Sequence, residues 1–142
     1  KSGSVIEEIV TAHELEVTGK VILPDDRQIL SDQMLNYCHQ GIDLILTTGG
    51  TGFSKRDVTP EATADIVERR ADNLTFAMIA NSLQYTPKAM LSRGIAGIRE
   101  NTLIVNLPGS PKAVRENLEY AIDAIIHGVK ILKGDDAECA RK

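Results

Sequence analysis

The residues best suited to chemistry lie in one segment, residues 43–60, which reads DLILTTGGTGFSKRDVTP. Gly49, Gly50 and Gly52 lack the Cβ atoms that would hold a ligand away from the backbone, and glycine tolerates positive φ, so that successive N–H groups can point at an anion. A carboxylate, Asp57, follows closely. The spacing matches neither a Walker A loop nor the dinucleotide pattern G-x-G-x-x-G, and it predicts a different phosphate-binding turn.

A buried strand and the start of a helix are predicted on the two sides of this turn. Residues 43–48 are mostly aliphatic or β-branched, which is typical of a strand in a parallel sheet. Downstream, Pro60 suits the first position of a helix and Thr59 the cap before it, and this helix is expected to run to about Arg70. The glycines are therefore expected in a strand-to-helix connection.

A second carboxylate is expected at the same edge of the sheet. The sequence predicts a strand over residues 15–23 that is followed by Asp25, a helix over residues 29–40, and then the strand of residues 43–48. Such strand–helix–strand units are parallel and right-handed in nearly all known cases, and ligands bind beyond the carboxyl ends of parallel strands. Asp25 and Asp57 should therefore converge beside the glycine turn.

The second half of the chain contains another strand that ends in a tight turn. Helices are predicted over residues 74–84 and 112–132, with a short strand after the small-residue segment that begins at residue 91 and another strand over residues 102–107. The last strand ends in Pro-Gly-Ser-Pro at residues 108–111, directly before the long helix. This turn either binds an anion at the helix start or is an ordinary connection.

Length and composition limit the classes of function. A chain of 142 residues fits one domain, and its net charge of −4, with 4% aromatic residues and no Trp, argues against a nucleic-acid-binding surface. Cys38 and Cys139 form no CxxC pattern, so reduced thiols and a cytoplasmic location are expected. No apolar run approaches the roughly 20 residues that span a bilayer, and no signal-peptide pattern opens the chain, so no membrane partner is expected.

Three ordered segments together carry a resemblance to a known family. They read TTGGTGFSKRDVTPEAT, TPKAMLSRGIAGIR and NLPGSPKAVRE. They resemble the molybdopterin adenylyltransferase family of molybdenum-cofactor biosynthesis, which includes Mog and MoaB-type proteins and the G domain of gephyrin. The resemblance implies a single α/β domain over residues 1–134, a three-layer sandwich with a mostly parallel sheet, followed by a polar tail at residues 135–142.

The same resemblance implies an activity and its partners. Members of the family transfer AMP from Mg-ATP to molybdopterin, which gives adenylylated molybdopterin and pyrophosphate. ATP is then a co-substrate and Mg²⁺ the cofactor. A homotrimer or a higher assembly of trimers is the expected state, and a molybdenum-insertion protein is a candidate partner.

Matching the motifs position by position implies roles for individual residues. Asp25 and Asp57 match the two functional acidic positions, and both are expected to be catalytic and to ligate Mg²⁺, which prefers one or two carboxylates together with phosphate oxygens and water. The implied nucleotide-binding residues are Gly49, Gly50, Thr51, Gly52, Gly109 and Ser110. The implied substrate-binding residues are Thr59, Ser92 and Arg93.

Each of these carboxylates and the arginine also has a simpler interpretation. Either Asp25 or Asp26 could cap the helix that follows. Asp57 could cap the helix near Thr59 instead of binding a ligand. Arg93 is a suitable phosphate partner, but a solvated surface charge is an equal alternative.

Two alternative functions are compatible with the sequence. One is a molybdopterin-binding or scaffold homologue that does not catalyse the transfer, and the other is a different nucleotide-processing enzyme on the same domain, such as a sugar-nucleotide hydrolase. Retention of both Asp25 and Asp57 favours catalysis. Members of the family normally begin with a strand that carries a Ser-Asp pair; the sequence enters after it at Lys1, and further N-terminal residues are expected.

Overall fold

The computed structural model describes residues 1–134, and the predicted polar tail at residues 135–142 lies outside the described residues. The helices are α1 (Ser2–Ala12), α2 (Arg27–His39), α3 (Thr59–Ala64), α4 (Asp72–Leu83) and α5 (Pro111–Lys133), with a short 3₁₀ helix at Pro87–Leu91. The strands are β1 (Leu44–Thr48), β2 (Arg69–Arg70), β3 (Ala96–Arg99) and β4 (Thr102–Leu107). No helix within residues 1–134 has both the length and the hydropathy needed to cross a membrane.

The four strands form one mixed sheet in the order β1-β4-β3-β2. β1 pairs parallel with β4, with Leu44 opposite Leu103, whereas β3 pairs antiparallel with both β4 and β2. The expected mostly parallel sheet is therefore corrected to a mixed one. The reason is local, because β3 and β4 are joined by the two residues 100 and 101, and so short a connection permits only an antiparallel hairpin.

Helices cover both faces of the sheet, which confirms the predicted α/β class with three layers. On one face α1, α4 and α5 pack against alternate residues of β4, namely Leu103, Val105 and Leu107. On the other face Ile45 and Ile104 pack against α2 and α3. Both faces of β4 are buried, as expected for a central strand in which four of the six residues are apolar.

The two longest helices form where the sequence predicts them. Asp26 caps α2 by accepting a hydrogen bond from the N–H of Ile29 at 2.9 Å. α5 begins after Ser110, whose hydroxyl accepts from the N–H of Ala113 at 3.2 Å, and ends at Gly134 with φ +83°. Capping and apolar periodicity are properties of neighbouring residues, so they can be recognised in the sequence.

The strand predicted over residues 15–23 is wrong, because this segment is irregular in the structure. Leu15 packs against the edge of the core, but Val17 and Val21 are exposed and Ile22 is 97% exposed. The segment is attached instead by contacts such as the ion pair of Lys20 with Glu7 at 3.1 Å. A strand needs a neighbouring strand to satisfy its N–H and C=O groups, and within residues 1–134 none pairs with this segment.

The helix predicted to run from Pro60 to about Arg70 is too long. α3 ends at Ala64, and Arg69–Arg70 form β2 beside β3. Gly97 explains the change, because a Cβ there would lie only 2.7 Å from Val67 Cγ1, so its absence lets the chain approach β3. Thr59 is also not the cap of α3, since the cap position is Val58 and Thr59 is the first helical residue.

Candidate functional site

The two turns that the sequence singled out lie side by side. β1 and β4 are parallel neighbours, so the glycine turn after β1 and the Pro-Gly-Ser-Pro turn after β4 leave the sheet at the same edge. The hydroxyl of Thr48 donates to the carbonyl of Pro108 at 2.6 Å, and a Cβ on Gly109 would lie 3.4 Å from Gly49 Cα. The missing side chains allow the two backbones to approach closely.

The glycine turn presents backbone donors at this edge. Gly49 and Gly50 have φ of +85° and +69°, the left-handed region that glycine adopts without strain. The N–H of Gly49 donates to the carbonyl of Leu107 at 3.1 Å. The N–H groups of Gly50, Thr51 and Gly52 make no hydrogen bond to any residue within 1–134, so three successive donors are available for an anion.

α3 forms a wall of the glycine turn. The N–H of Thr59 donates to the carbonyl of Gly50 at 3.1 Å, and a Cβ on Gly50 would lie 2.3 Å from Thr59 Oγ1. Thr59 is buried, with 7% of its surface exposed. The turn therefore fits against the first residue of α3 only because position 50 has no side chain.

Asp57 lies next to the last glycine of the turn. Its Oδ2 accepts a hydrogen bond from the N–H of Ser54 at 3.0 Å and would lie 2.9 Å from a Cβ on Gly52. Asp57 does not cap α3, since the cap position Val58 carries no capping side-chain bond. Within residues 1–134 no hydrogen bond or ion pair engages Oδ1, so this oxygen is available to a ligand.

Asp25 lies directly before the cap of α2. The next residues tie the start of α2 to the end of α3, because Arg27 donates to both oxygens of Asp65 at 2.7 Å. This pair lowers the pKa of the Asp65 carboxyl. Since Asp26 provides the cap of α2, the exposed carboxylate of Asp25 has no capping role. No contact among the described residues joins Asp25 to Asp57 directly.

Arg93 is bonded to the glycine loop and is not a solvated surface charge. Its backbone N–H donates to the carbonyl of Thr51, its Nε to the carbonyl of Gly52 and its Nη2 to the carbonyl of Asp57, each at 2.7 Å. Its Nη1 and Nη2 also donate to the carboxylate of Glu61. A guanidinium has five N–H donors, so one Nη1 N–H is left for another acceptor.

The remaining predicted residues surround these turns. The Ser110 hydroxyl caps α5. The Gly109 carbonyl accepts from the hydroxyl of Ser2, which attaches α1 to the turn. Ser92 is half-buried, and its hydroxyl accepts from the N–H of Gly94 at 3.3 Å. Ser92 and Arg93 thus follow the 3₁₀ helix where the chain passes the glycine turn.

Comparison with known proteins identifies the family. Residues 1–127 match the family described as "Probable molybdopterin binding domain". The chain belongs to this family. The resemblance found in the three sequence motifs is therefore confirmed.

Several members of the molybdopterin-binding family are similar over most of the chain. Molybdopterin adenylyltransferase from Helicobacter pylori is 39% identical over 137 residues, which cover 94% of this chain and 78% of the relative. Gephyrin from Dictyostelium discoideum is 47% identical over 116 residues, and the molybdenum cofactor synthesis protein cinnamon from Drosophila melanogaster is 39% identical over 144 residues. The chain spans only 16% and 24% of the length of these two proteins.

Solved structures of the family agree with the fold described above. The molybdopterin biosynthesis enzyme MoaB from Thermus thermophilus superposes with a TM-score of 0.88 at 40% identity and covers 94% of this chain and 84% of its own. The molybdopterin biosynthesis protein Mog from Mycobacterium ulcerans superposes with a TM-score of 0.87 at 32% identity, over 92% of this chain and 86% of its own.

Two residues that support the site in this family member were not singled out from the sequence. Asn106 is buried, and its Oδ1 accepts from the N–H of Ile95 at 3.0 Å while its Nδ2 donates to Thr47 and Thr63 at 2.9 and 3.1 Å. The feature of the sequence that could have indicated the role of Asn106 is its position as an amide inside the largely apolar strand TLIVNL. Glu61, the partner of Arg93, gave no such signal, because it resembles any acidic residue in a first helical turn.

The donor set fits magnesium better than a metal that needs a cage of protein ligands. Within the described part of the chain there is no group of three or more His, Cys, Asp or Glu residues that could hold a metal ion. Mg²⁺ is usually bound by one or two carboxylates together with substrate phosphates and water. The unengaged Oδ1 of Asp57, beside backbone donors suited to phosphate, fits that arrangement.

Proposed function

We propose that this protein is a molybdopterin adenylyltransferase that transfers AMP from Mg-ATP to molybdopterin and releases pyrophosphate. One observation carries the proposal: the carboxylate of Asp57 lies against Gly52, the last residue of a turn in which the N–H groups of Gly50, Thr51 and Gly52 have no partner within residues 1–134. A carboxylate beside phosphate donors suits a metal–nucleotide complex. Support comes also from relatives named molybdopterin adenylyltransferase, at 38–39% identity.

The nucleotide is assigned to the two turns at the sheet edge. Gly50, Thr51 and Gly52 donate N–H groups to phosphate oxygens, while Gly49 contributes by its positive φ and its lack of a side chain. Gly109 and Ser110 complete the nucleotide site at the start of α5, where the helix dipole favours an anion.

Asp57 and Asp25 are assigned as the Mg²⁺ ligands and catalytic carboxylates. Bound with ATP, the ion would offset the negative charge that develops on the leaving pyrophosphate. Neither carboxylate has to remove a proton, because the attacking phosphate of molybdopterin is already ionised. Their role is to orient the nucleotide, and Asp57 can do so because the N–H of Ser54 fixes its Oδ2.

Molybdopterin is assigned to Thr59, Ser92 and Arg93. Ser92 and Arg93 follow the 3₁₀ helix, and Thr59 lies against the glycine turn. Arg93 contributes its remaining Nη1 N–H, since its other donors are bonded to the protein. We further propose a homotrimer in the cytoplasm that passes its product to a molybdenum-insertion protein; this rests on the family resemblance.

The test is a direct assay of product. The full-length natural protein is incubated with molybdopterin, ATP and Mg²⁺, and adenylylated molybdopterin and pyrophosphate are quantified. Product should form with the wild-type protein and be lost in Asp57→Asn, while Glu8→Gln, which alters an exposed ion pair with Arg115, should keep wild-type turnover. Pterin binding without product in folded wild-type protein would favour the carrier or scaffold function instead.

A further inference from the structure

Arg93 is the main attachment of the loop that carries Asp57. The side chain of Arg93 donates hydrogen bonds to the carbonyls of Gly52 and Asp57, which are the two ends of this loop. The backbone N–H of Arg93 donates to the carbonyl of Thr51, the residue just before the loop. Residues 53–56 are exposed, and their hydrogen bonds lie within the loop, such as the N–H of Asp57 to the carbonyl of Ser54 at 2.9 Å. A single guanidinium therefore closes this loop against the rest of the domain.

Glu61 determines where that guanidinium points. Its Oε2 accepts from Nη1 and its Oε1 from Nη2 at 3.5 Å, so both carboxylate oxygens engage the guanidinium that also bonds the loop. Both side chains are about one-third exposed, and the carbonyls of the loop are neutral acceptors. Glu61 is therefore the carboxylate that balances the charge of Arg93, from a helix that is itself packed on the sheet and on α2.

We propose that Glu61 is a positioning residue that acts through Arg93 to hold the loop of residues 52–57, and thereby Asp57, in its working geometry. The catalytic consequence rests on the proposed function, whereas the effect on the loop does not. Without the carboxylate, Arg93 has no ion-pair partner within residues 1–134 and can turn towards solvent or a substrate phosphate. The loop then loses the bonds at both of its ends.

The exposed residues of the loop supply a readout that needs no substrate. Lys55 and Arg56 are exposed trypsin sites inside the held segment. Loosening of the loop should raise the rate of cleavage there without unfolding the domain. We expect Glu61→Gln to be cut after Lys55 or Arg56 roughly five-fold faster or more than wild type under native conditions, as followed by fragment mass.

A matched control separates the loop from general loss of an ion pair. Glu8 also pairs with an arginine, Arg115 at 3.1 Å, but the pair joins α1 to α5. Glu8→Gln should be cleaved at the wild-type rate. Circular dichroism and thermal unfolding of each variant show that cleavage starts from folded protein.

A double-mutant cycle tests whether Glu61 acts through Arg93. Arg93→Lys keeps the charge but loses the fork, and it should also accelerate cleavage. Since the two side chains form one unit, the double variant Glu61→Gln/Arg93→Lys should be cleaved no faster than Arg93→Lys alone. If the increase in cleavage rate of the double variant equals the product of the two single increases, Glu61 acts independently of Arg93 and the proposal is overturned.

Kinetics test the consequence for Asp57. In Glu61→Gln we expect kcat for adenylyl transfer to fall about ten-fold, with the KM for ATP within about two-fold of wild type, because the N–H donors of Gly50 and Thr51 lie outside the loosened loop. If wild-type protein makes no product, the proposed function fails while the cleavage result still decides the role of Glu61. Cleavage of Glu61→Gln at the rate of wild type and Glu8→Gln would overturn the positioning role.

Discussion

Gly50 and Thr59 are in such close contact that a Cβ on Gly50 would lie 2.3 Å from the Thr59 hydroxyl oxygen. The N–H of Thr59 also donates to the carbonyl of Gly50 at 3.1 Å. The glycine turn and the start of α3 are therefore packed directly together, and side chains added to the turn should have effects that depend on the position.

Gly50→Ala should destabilise the protein more than Gly41→Ala. Both glycines have positive φ, of +69° and +82°, but no heavy atom lies within 4 Å of a Cβ on Gly41. Gly41→Ala should therefore lower the free energy of unfolding by about 1–2 kcal/mol from backbone strain alone. Gly50→Ala should cost about 1–3 kcal/mol more through overlap with Thr59. Urea unfolding measures the free energy of unfolding of both variants. Equal losses of stability in the two variants would contradict the close contact between Gly50 and Thr59.

Gly52→Ala should reduce activity with little effect on stability. The added Cβ would lie 2.9 Å from Asp57 Oδ2, and this carboxylate can move aside at low cost. We expect a change in unfolding free energy within about 0.5 kcal/mol and a fall in turnover of roughly ten-fold. Gly128→Ala is the control, because its Cβ meets no atom within 4 Å and alanine favours a helix, so turnover should be unchanged. Wild-type turnover in Gly52→Ala would argue against Asp57 as a catalytic residue.

Asn106→Leu should lower the stability of the folded protein. The substitution keeps the branching of the side chain but leaves the N–H of Ile95 without its acceptor and removes the bonds to Thr47 and Thr63. The unsatisfied N–H alone should cost about 1–3 kcal/mol. Thr47→Val removes one of these bonds and should cost about 0.5–1.5 kcal/mol. Denaturant titrations should show a larger loss of stability for Asn106→Leu than for Thr47→Val. The reverse order would contradict the hydrogen-bond network of Asn106.

The contribution of Glu61 to stability should depend on pH. Hydrogen bonding from Arg93 is the main cause that holds the pKa of the Glu61 carboxyl below its ordinary value, and Arg27 adds a weaker attraction. A depressed pKa in the folded state stabilises the protein above the ordinary pKa of Glu, about 4.3, and this stabilisation is lost as pH falls through the folded value. The difference in Tm between wild type and Glu61→Gln should be constant from about pH 8 to pH 5 and shrink below about pH 4.5. A difference that grows on acidification would contradict the ion pair.

Cys38 should react slowly with thiol reagents in the folded protein. It is a free, buried cysteine, and burial raises the pKa of its thiol, so that little of the reactive thiolate is present at pH 8. In a Cys139→Ser variant, labelling should be slow in buffer and fast in urea. Rapid labelling in buffer would show that α2 opens readily from the sheet.

The sequence predicted the parts of the site whose causes are local. The glycine turn, Asp57 and the Pro-Gly-Ser-Pro turn were recognised from residue type and spacing, and the structure places both turns at one sheet edge. The sequence offers both Asp25 and Asp26 as the cap of α2, and the structure assigns the cap to Asp26. Local patterns indicate the candidates for a cap, whereas the backbone geometry selects one of them.

The sequence by itself determined the family, the helices α2 and α5, and the strands β1 and β4, because apolar periodicity, caps and glycines act between neighbours. Only the tertiary structure decided that the sheet is mixed, that residues 15–23 form no strand, and that Arg93 holds the loop. The acceptors of the Arg93 side chain lie 32 to 41 positions away along the chain. Pairing between residues so far apart depends on which surfaces the fold brings together, and no local pattern records it.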